Sequence, residues 1–133
     1  MCSSDLLRAN GWQLLDPGRV AGTPSTYREF IQGSWAELGV AKSGYVLSRC
    51  GWFSDRSACY LASGRPVIAQ ETGFSRHLPT GMGLFSFRNA DDVLAALAKI
   101  REDYPAQARA ARSMAETYFA SDKVLGRLLG MLR

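Results

Sequence analysis

The chain has 133 residues, 47% of them apolar and 21% charged, with 13 Gly, 5 Pro, 3 Cys and a net charge of +4. That length suits one domain with its own core, the apolar fraction excludes a disordered segment, and no apolar run approaches the ~18 residues of a membrane span. Cys2, Cys50 and Cys59 form no C-x-x-C pair and His77 is the single histidine, which excludes a disulfide framework and a zinc-type ligand cluster and predicts a soluble, cytoplasmic α/β protein without a bound metal.

The opening Met1-Cys2-Ser3-Ser4-Asp5-Leu6 has neither a helical nor a strand period and lacks the apolar stretch of a signal peptide. It matches a translated short-read library adapter (V-C-S-S-D-L, the initiating GTG read as Met). The expectation is a cloning or assembly scar, with the gene cut off upstream. From Leu7 short strands alternate with helices. Trp12-Gln13-Leu14-Leu15 reads as a strand closed by the turn residues Asp16-Pro17-Gly18. Thr23 caps a helix with Pro24 at its first position, Tyr27, Phe30 and Ile31 on one face and Gly33 as its stop. Trp35 to Ala41 is a near-continuous apolar run broken by Glu37 and Gly39, as in a buried parallel strand.

Ser54 is the expected N-cap of the next helix, with Phe53 before it and Gly64 at its C-terminus. Pro66 to Ala69 is a second buried strand, and Gly81 to Phe87 holds a third. The C-terminal third reads as three helices. Asn89 caps the first, with the stripe Val93, Leu94, Leu97 and Ile100. Pro105 opens the second, with Ala111, Met114, Ala115 and Tyr118 inward. Ser121 caps the third, with Leu125, Leu128, Leu129 and Leu132. Strand–helix–strand–helix–strand followed by helices indicates a parallel α/β sheet. Such sheets bind ligands outside the carboxyl ends of their strands, which directs attention to the loops Ser43–Arg56 and Gln70–Gly83.

The charge is unevenly placed. Lys42, Arg49, Arg56, Arg65, Arg76 and Arg88 are opposed in their stretch only by Asp55 and Glu71, so the Gly-rich middle carries the whole excess of +4. Single arginines spaced among glycines suit a compact anionic ligand better than a nucleic-acid track. In the first loop, Gly51 lets the backbone approach a ligand, a helix start offers unpaired N–H groups, Ser54 and Ser57 offer hydroxyls, and Arg56 offers charge-assisted bonds to phosphate. Asp55 already complements the helix dipole and would have to point aside from a phosphate, towards ribose hydroxyls. Cys50 and Cys59 have no histidine near them in sequence to activate a thiol nucleophile.

The run Ser48-Arg49-Cys50-Gly51-Trp52-Phe53-Ser54, followed by Tyr60-Leu61-Ala62-Ser63-Gly64-Arg65-Pro66-Val67-Ile68-Ala69-Gln70-Glu71-Thr72-Gly73-Phe74, resembles the donor-binding region of GT-B glycosyltransferases. Thr80-Gly81-Met82-Gly83-Leu84-Phe85 is similar to their downstream G-x-G-hydrophobic strand. The resemblance implies a Rossmann-like parallel sheet with a helical C-terminal segment, the C-terminal half of a GT-B fold over residues 7–133. It implies a nucleotide-sugar donor as substrate, no metal or other cofactor, no nucleic acid, and an acceptor held by an absent N-terminal half. By position, Gly51, Ser54, Asp55, Arg56 and Ser57 would lie near diphosphate and ribose, with Arg56 stabilising the leaving group. Gln70, Glu71, Thr72 and Gly73 would face the transferred sugar.

Two glutamates eight apart mark many retaining members. The matching positions here are Gly51 and Cys59, so stereochemistry stays open, and Asp55, one turn before Cys59, is the nearest carboxylate. The alternative from a different class is a non-catalytic flavodoxin-like regulatory or protein-interaction module.

Overall fold

In the computed structural model, which describes residues 3–132, the chain forms two compact units, one running to Gly33 and the other from Ser34. Cys2 lies outside the described residues. The first unit is helical. Helix α1 (Ser3–Ala9) forms where the sequence shows no period, with Asp5 in its first turn and Arg8 in its last, matching both ends of the helix dipole. The predicted strand at Trp12–Leu15 does not form, and the segment is irregular and exposed. A strand must pair its backbone N–H and C=O groups with another strand, and no strand is described in this unit. Asp16-Pro17-Gly18 instead starts the short helix α2 (Pro17–Val20), the Asp16 carboxylate accepting from the Gly18 amide at 2.9 Å. Helix α3 (Pro24–Gly33) begins as predicted, with the Thr23 hydroxyl accepting from the Thr26 amide at 3.2 Å.

The second unit is α/β. Its sheet has three parallel strands in the order β1 (Glu37–Gly39), β2 (Val67–Gln70), β3 (Leu84–Phe87). Ile68 stands beside Leu38 and Phe85, and Gln70 beside Phe87. Since side chains alternate faces along a strand, Ile68, Phe85 and Phe87 share one face. They form a buried cluster there with Ala96 and Ile100 of helix α6 (Ala90–Glu102), joined by Val93 and Leu97. Burying each large apolar side chain of this kind contributes about 1.5–3 kcal/mol. The predicted stripe needs one correction: Leu94 is 62% exposed, because Val93, Ala96, Leu97 and Ile100 hold the i, i+3, i+4, i+7 face.

Val67 and Leu84, both fully buried, point to the other face, that of α5 (Asp55–Ala62) and α7 (Tyr104–Tyr118). Helix α7 is capped by Asp103, whose carboxylate accepts from the Ala106 amide at 3.0 Å, one residue before the Tyr104-Pro105 start. Asn89 caps α6 as predicted, accepting from the Asp92 amide at 2.9 Å. Ser121 does not cap the last helix, α8 (Ser121–Gly130): Ala120 holds that position without a side-chain bond. Leu125, Leu128, Leu129 and Leu132 are all exposed. No helix among the described residues is long and apolar enough to cross a membrane.

Candidate functional site

The first loop contains a helix of its own, α4 (Ser43–Ser48), closed by Arg49 in the left-handed conformation at φ 50°. A non-glycine residue rarely occupies that region, and Cβ crowding costs on the order of 1 kcal/mol there. Five residues on, the chain enters α5 through Ser54. Ser54 holds the N-cap position but makes no capping bond to the backbone; its hydroxyl lies 3.4 Å from Asp55 Oδ1. Asp55 accepts from the Arg56 amide at 2.8 Å, so the positive end of α5 already faces a carboxylate. Ser57 is buried.

Arg56 does not stand free for a ligand. Its Nε donates to Oε1 of Glu37 at 2.5 Å, tying α5 to the first residue of β1. The Glu37 side chain is only 5% exposed and the Arg56 side chain 47%, so the pair joins a buried carboxylate to a half-solvated guanidinium. A separation of 19 residues hides this pair from any local reading of the sequence.

The two predicted loops meet beyond the carboxyl ends of β1 and β2. The Gly51 amide donates to the Thr72 carbonyl at 2.8 Å, and the Thr72 hydroxyl returns a bond to the Trp52 carbonyl at 2.5 Å. The Gln70 side-chain oxygen accepts from the Ala41 amide at 3.0 Å, extending the join between β1 and β2 past their last ladder pair. Gly73 has φ 99°, and a Cβ there would collide with the Arg49 carbonyl oxygen. Glycine is therefore required where the second loop crosses the first. Arg76 fastens the crossing, donating to the Arg49 carbonyl at 2.5 Å and to the Gly73 carbonyl at 3.3 Å. Gly51, Gln70, Thr72 and Gly73 thus form one edge, with Thr72 buried inside it.

Glu71 sits at the centre of that edge and is 7% exposed. Its Oε1 accepts from the Gly73 amide at 2.6 Å, and Oε2 lies 3.9 Å from Arg88 Nη2. Burial by itself would raise the Glu71 carboxyl pKa; hydrogen bonds from Ser75 and the Gly73 amide, with the charge of Arg88, outweigh it and hold it below 4.5. Glu71 is therefore ionised at neutral pH and can only accept.

A carboxyl whose pKa falls on folding stabilises the fold above its unfolded value and loses that contribution as pH drops through the folded one. Glu71→Gln is accordingly expected to cost about 1.5–3 kcal/mol at neutral pH, the range for hydrogen bonds to a charged group. The difference from the parent chain should shrink as pH falls from neutral through the lowered pKa of the folded carboxyl; urea unfolding across the acid range checks it.

Arg49, Glu71, Gly73, Ser75, Arg76 and Arg88 surround a cavity of about 170 Å³. A larger one of about 370 Å³, between Met82 and α7, lies towards the amino ends of the strands, away from where parallel sheets place ligands. In the sequence Arg49, Arg76 and Arg88 are only spaced charge; their convergence depends on the loop crossing and on β3 lying beside β2. His77 closes a single 3-10 turn (Phe74–Arg76), its amide donating to the Phe74 carbonyl at 2.9 Å. Cys50 and Cys59 are exposed free thiols. The described residues hold no group of three or more His, Cys, Asp or Glu able to bind a metal. Comparison of the chain with protein-family models, curated proteins and solved structures found no match.

Proposed function

We propose that this chain is the donor-binding half of a glycosyltransferase that moves a sugar from a nucleoside diphosphate to an acceptor hydroxyl. In that reaction the sugar's anomeric carbon–oxygen bond to the diphosphate breaks, a bond to the acceptor oxygen forms, and the acceptor's proton is lost. The observation that carries the reading is the hydrogen-bonded crossing of the Gly51 and Thr72 loops at the carboxyl edge of a parallel sheet, beside a cavity bearing three arginines. Positive charge there would offset the charge that develops on a departing diphosphate. Arg56 is engaged by Glu37 and the α5 start by Asp55, so that charge would come from the cavity side of the edge rather than from Arg56.

Calorimetry with UDP, GDP, dTDP and ADP on the cooperatively folded chain tests it. One diphosphate should bind, with a heat that saturates on titration. A folded chain that binds none of the four would transfer support to the second reading, a protein-interaction module. The exposed leucines of α8 are the observation that favours that reading.

A further inference from the structure

The carboxylate at the loop crossing is bonded by Gly73 and Ser75 but has one oxygen left without a partner. Glu71 Oε2 is buried and accepts no hydrogen bond, and the 3.9 Å to Arg88 exceeds hydrogen-bond length. A hydroxyl can donate to the carboxylate and accept from the guanidinium at once, which fits the gap on both sides. Arg49 lines the same cavity, and its guanidinium has no ion-pair or hydrogen-bond partner among the described residues. Arg76 contributes charge while two of its N–H groups are held by backbone carbonyls. An adjoining cavity of about 180 Å³ is again lined by Arg49, Glu71 and Arg88. Each volume lies below the roughly 300 Å³ at which pockets take drug-sized ligands, which suits a single sugar ring better than a nucleoside.

We propose that Arg49, Glu71 and Arg88 form a binding site for an anionic sugar unit. The sugar's carboxylate or phosphate lies on Arg49 and Arg88, and a neighbouring ring hydroxyl donates to Glu71 Oε2. Within the donor-binding reading, on which its catalytic meaning rests, this unit is the sugar being transferred, so the donor carries an acidic sugar. Neutral sugars would satisfy Glu71 and leave Arg49 without its anion. Simple anions would satisfy Arg49 and leave Glu71 without its donor.

The test is an amide-resolved NMR titration of the full chain with D-glucuronate, glucose 6-phosphate, D-glucose, acetate and inorganic phosphate. One sugar acid should saturate shifts at Glu71, Gly73 and Ser75 with affinity at least about tenfold above glucose and above the bare anion of its own type. Which of the two binds identifies carboxylate or phosphate as the group read. Arg88→Gln, at an exposed side chain, should abolish the tenfold preference while the spectrum stays folded. Glucose binding as tightly as the acids, acetate or phosphate binding as tightly as the sugar acids, or no saturation by any probe up to about 50 mM would each overturn the proposal. None of these probes carries a nucleotide. Failure here therefore leaves nucleoside-diphosphate binding standing, and a failed nucleotide panel leaves this site standing.

Discussion

Arg56→Gln is expected to lower stability by about 2–3 kcal/mol, and Glu37→Gln by only about 1 kcal/mol, although each removes one end of the same ion pair. The asymmetry follows from burial: the Glu37 side chain is 5% exposed and that of Arg56 is 47% exposed. Without Arg56 a carboxylate is left inside the protein with no cation beside it. Without Glu37 the guanidinium turns into water. The estimate for Arg56 falls short of the roughly 3–5 kcal/mol of a fully buried pair because water already reaches one side. The Glu37→Gln/Arg56→Gln double variant should regain most of the loss, since it buries no charge. Chemical denaturation of the three variants checks the ordering, and equal losses for the two single variants would refute it. The consequence for function is practical. A loss of ligand binding in an Arg56 variant has to be separated from loss of the fold before it is read as a lost contact.

The largest effect is expected at Gly83. Its φ is 70°, and a Cβ would collide with the backbone of Ala110 and Ala111 in α7. The residue is held on both sides: its amide donates to the Gln107 side chain at 2.7 Å and its carbonyl accepts from the Val67 amide at 2.9 Å. Adding a methyl group therefore forces either β3 or α7 to move, and backbone cannot rotate aside as a side chain would. Gly83→Ala should cost about 3 kcal/mol or more, combining left-handed strain with overpacking, and lower Tm by about 10 °C. Gly126→Ala provides the opposite sign. That glycine lies within α8 with open space around it, so alanine should add about 0.5–1 kcal/mol through helix propensity alone. A thermal scan of both variants checks the pair.

These positions show what the sequence makes legible. Thr23-Pro24, Asn89 and Pro105 mark helix starts by chemistry that acts within three residues, and the helices begin within a residue or two of them. Pro66 to Ala69 reads as a buried strand and Gly81 to Phe87 as holding another, and parallel strands form at Val67–Gln70 and Leu84–Phe87. Ser121 carries an equally good capping side chain, yet the helix starts one residue early on Ala120. Helix α4 escaped because Ser43-Gly44-Tyr45-Val46-Leu47-Ser48 has a glycine, a β-branched residue and no apolar period. Trp12–Leu15 carried strand-like residues, and strand formation needs a partner that its unit does not offer.

The candidate site divides along the same line. The two loops were readable, since parallel-sheet topology alone directs ligands to them. Which side chains are available inside them was not. Arg56 is taken by Glu37, Thr72 is spent on Trp52, and Asp55 is occupied at its own helix start. Arg88 approaches Glu71 from the end of β3, the strand beside β2, and Arg49 joins their cavity where Gly73 lets the loops cross. Apart from Asp55, bonded by the next residue in the chain, each depends on contacts between residues far apart in it.

Nitrogen–proton shift mapping during titration with the tightest of UDP, GDP, dTDP and ADP tests the account most directly. Shifts confined to the amides of 49–57 and 70–76 are the expected result, since both loops share one hydrogen-bonded edge. No shifts at saturating diphosphate, or shifts centred on Met82 and α7, would contradict it.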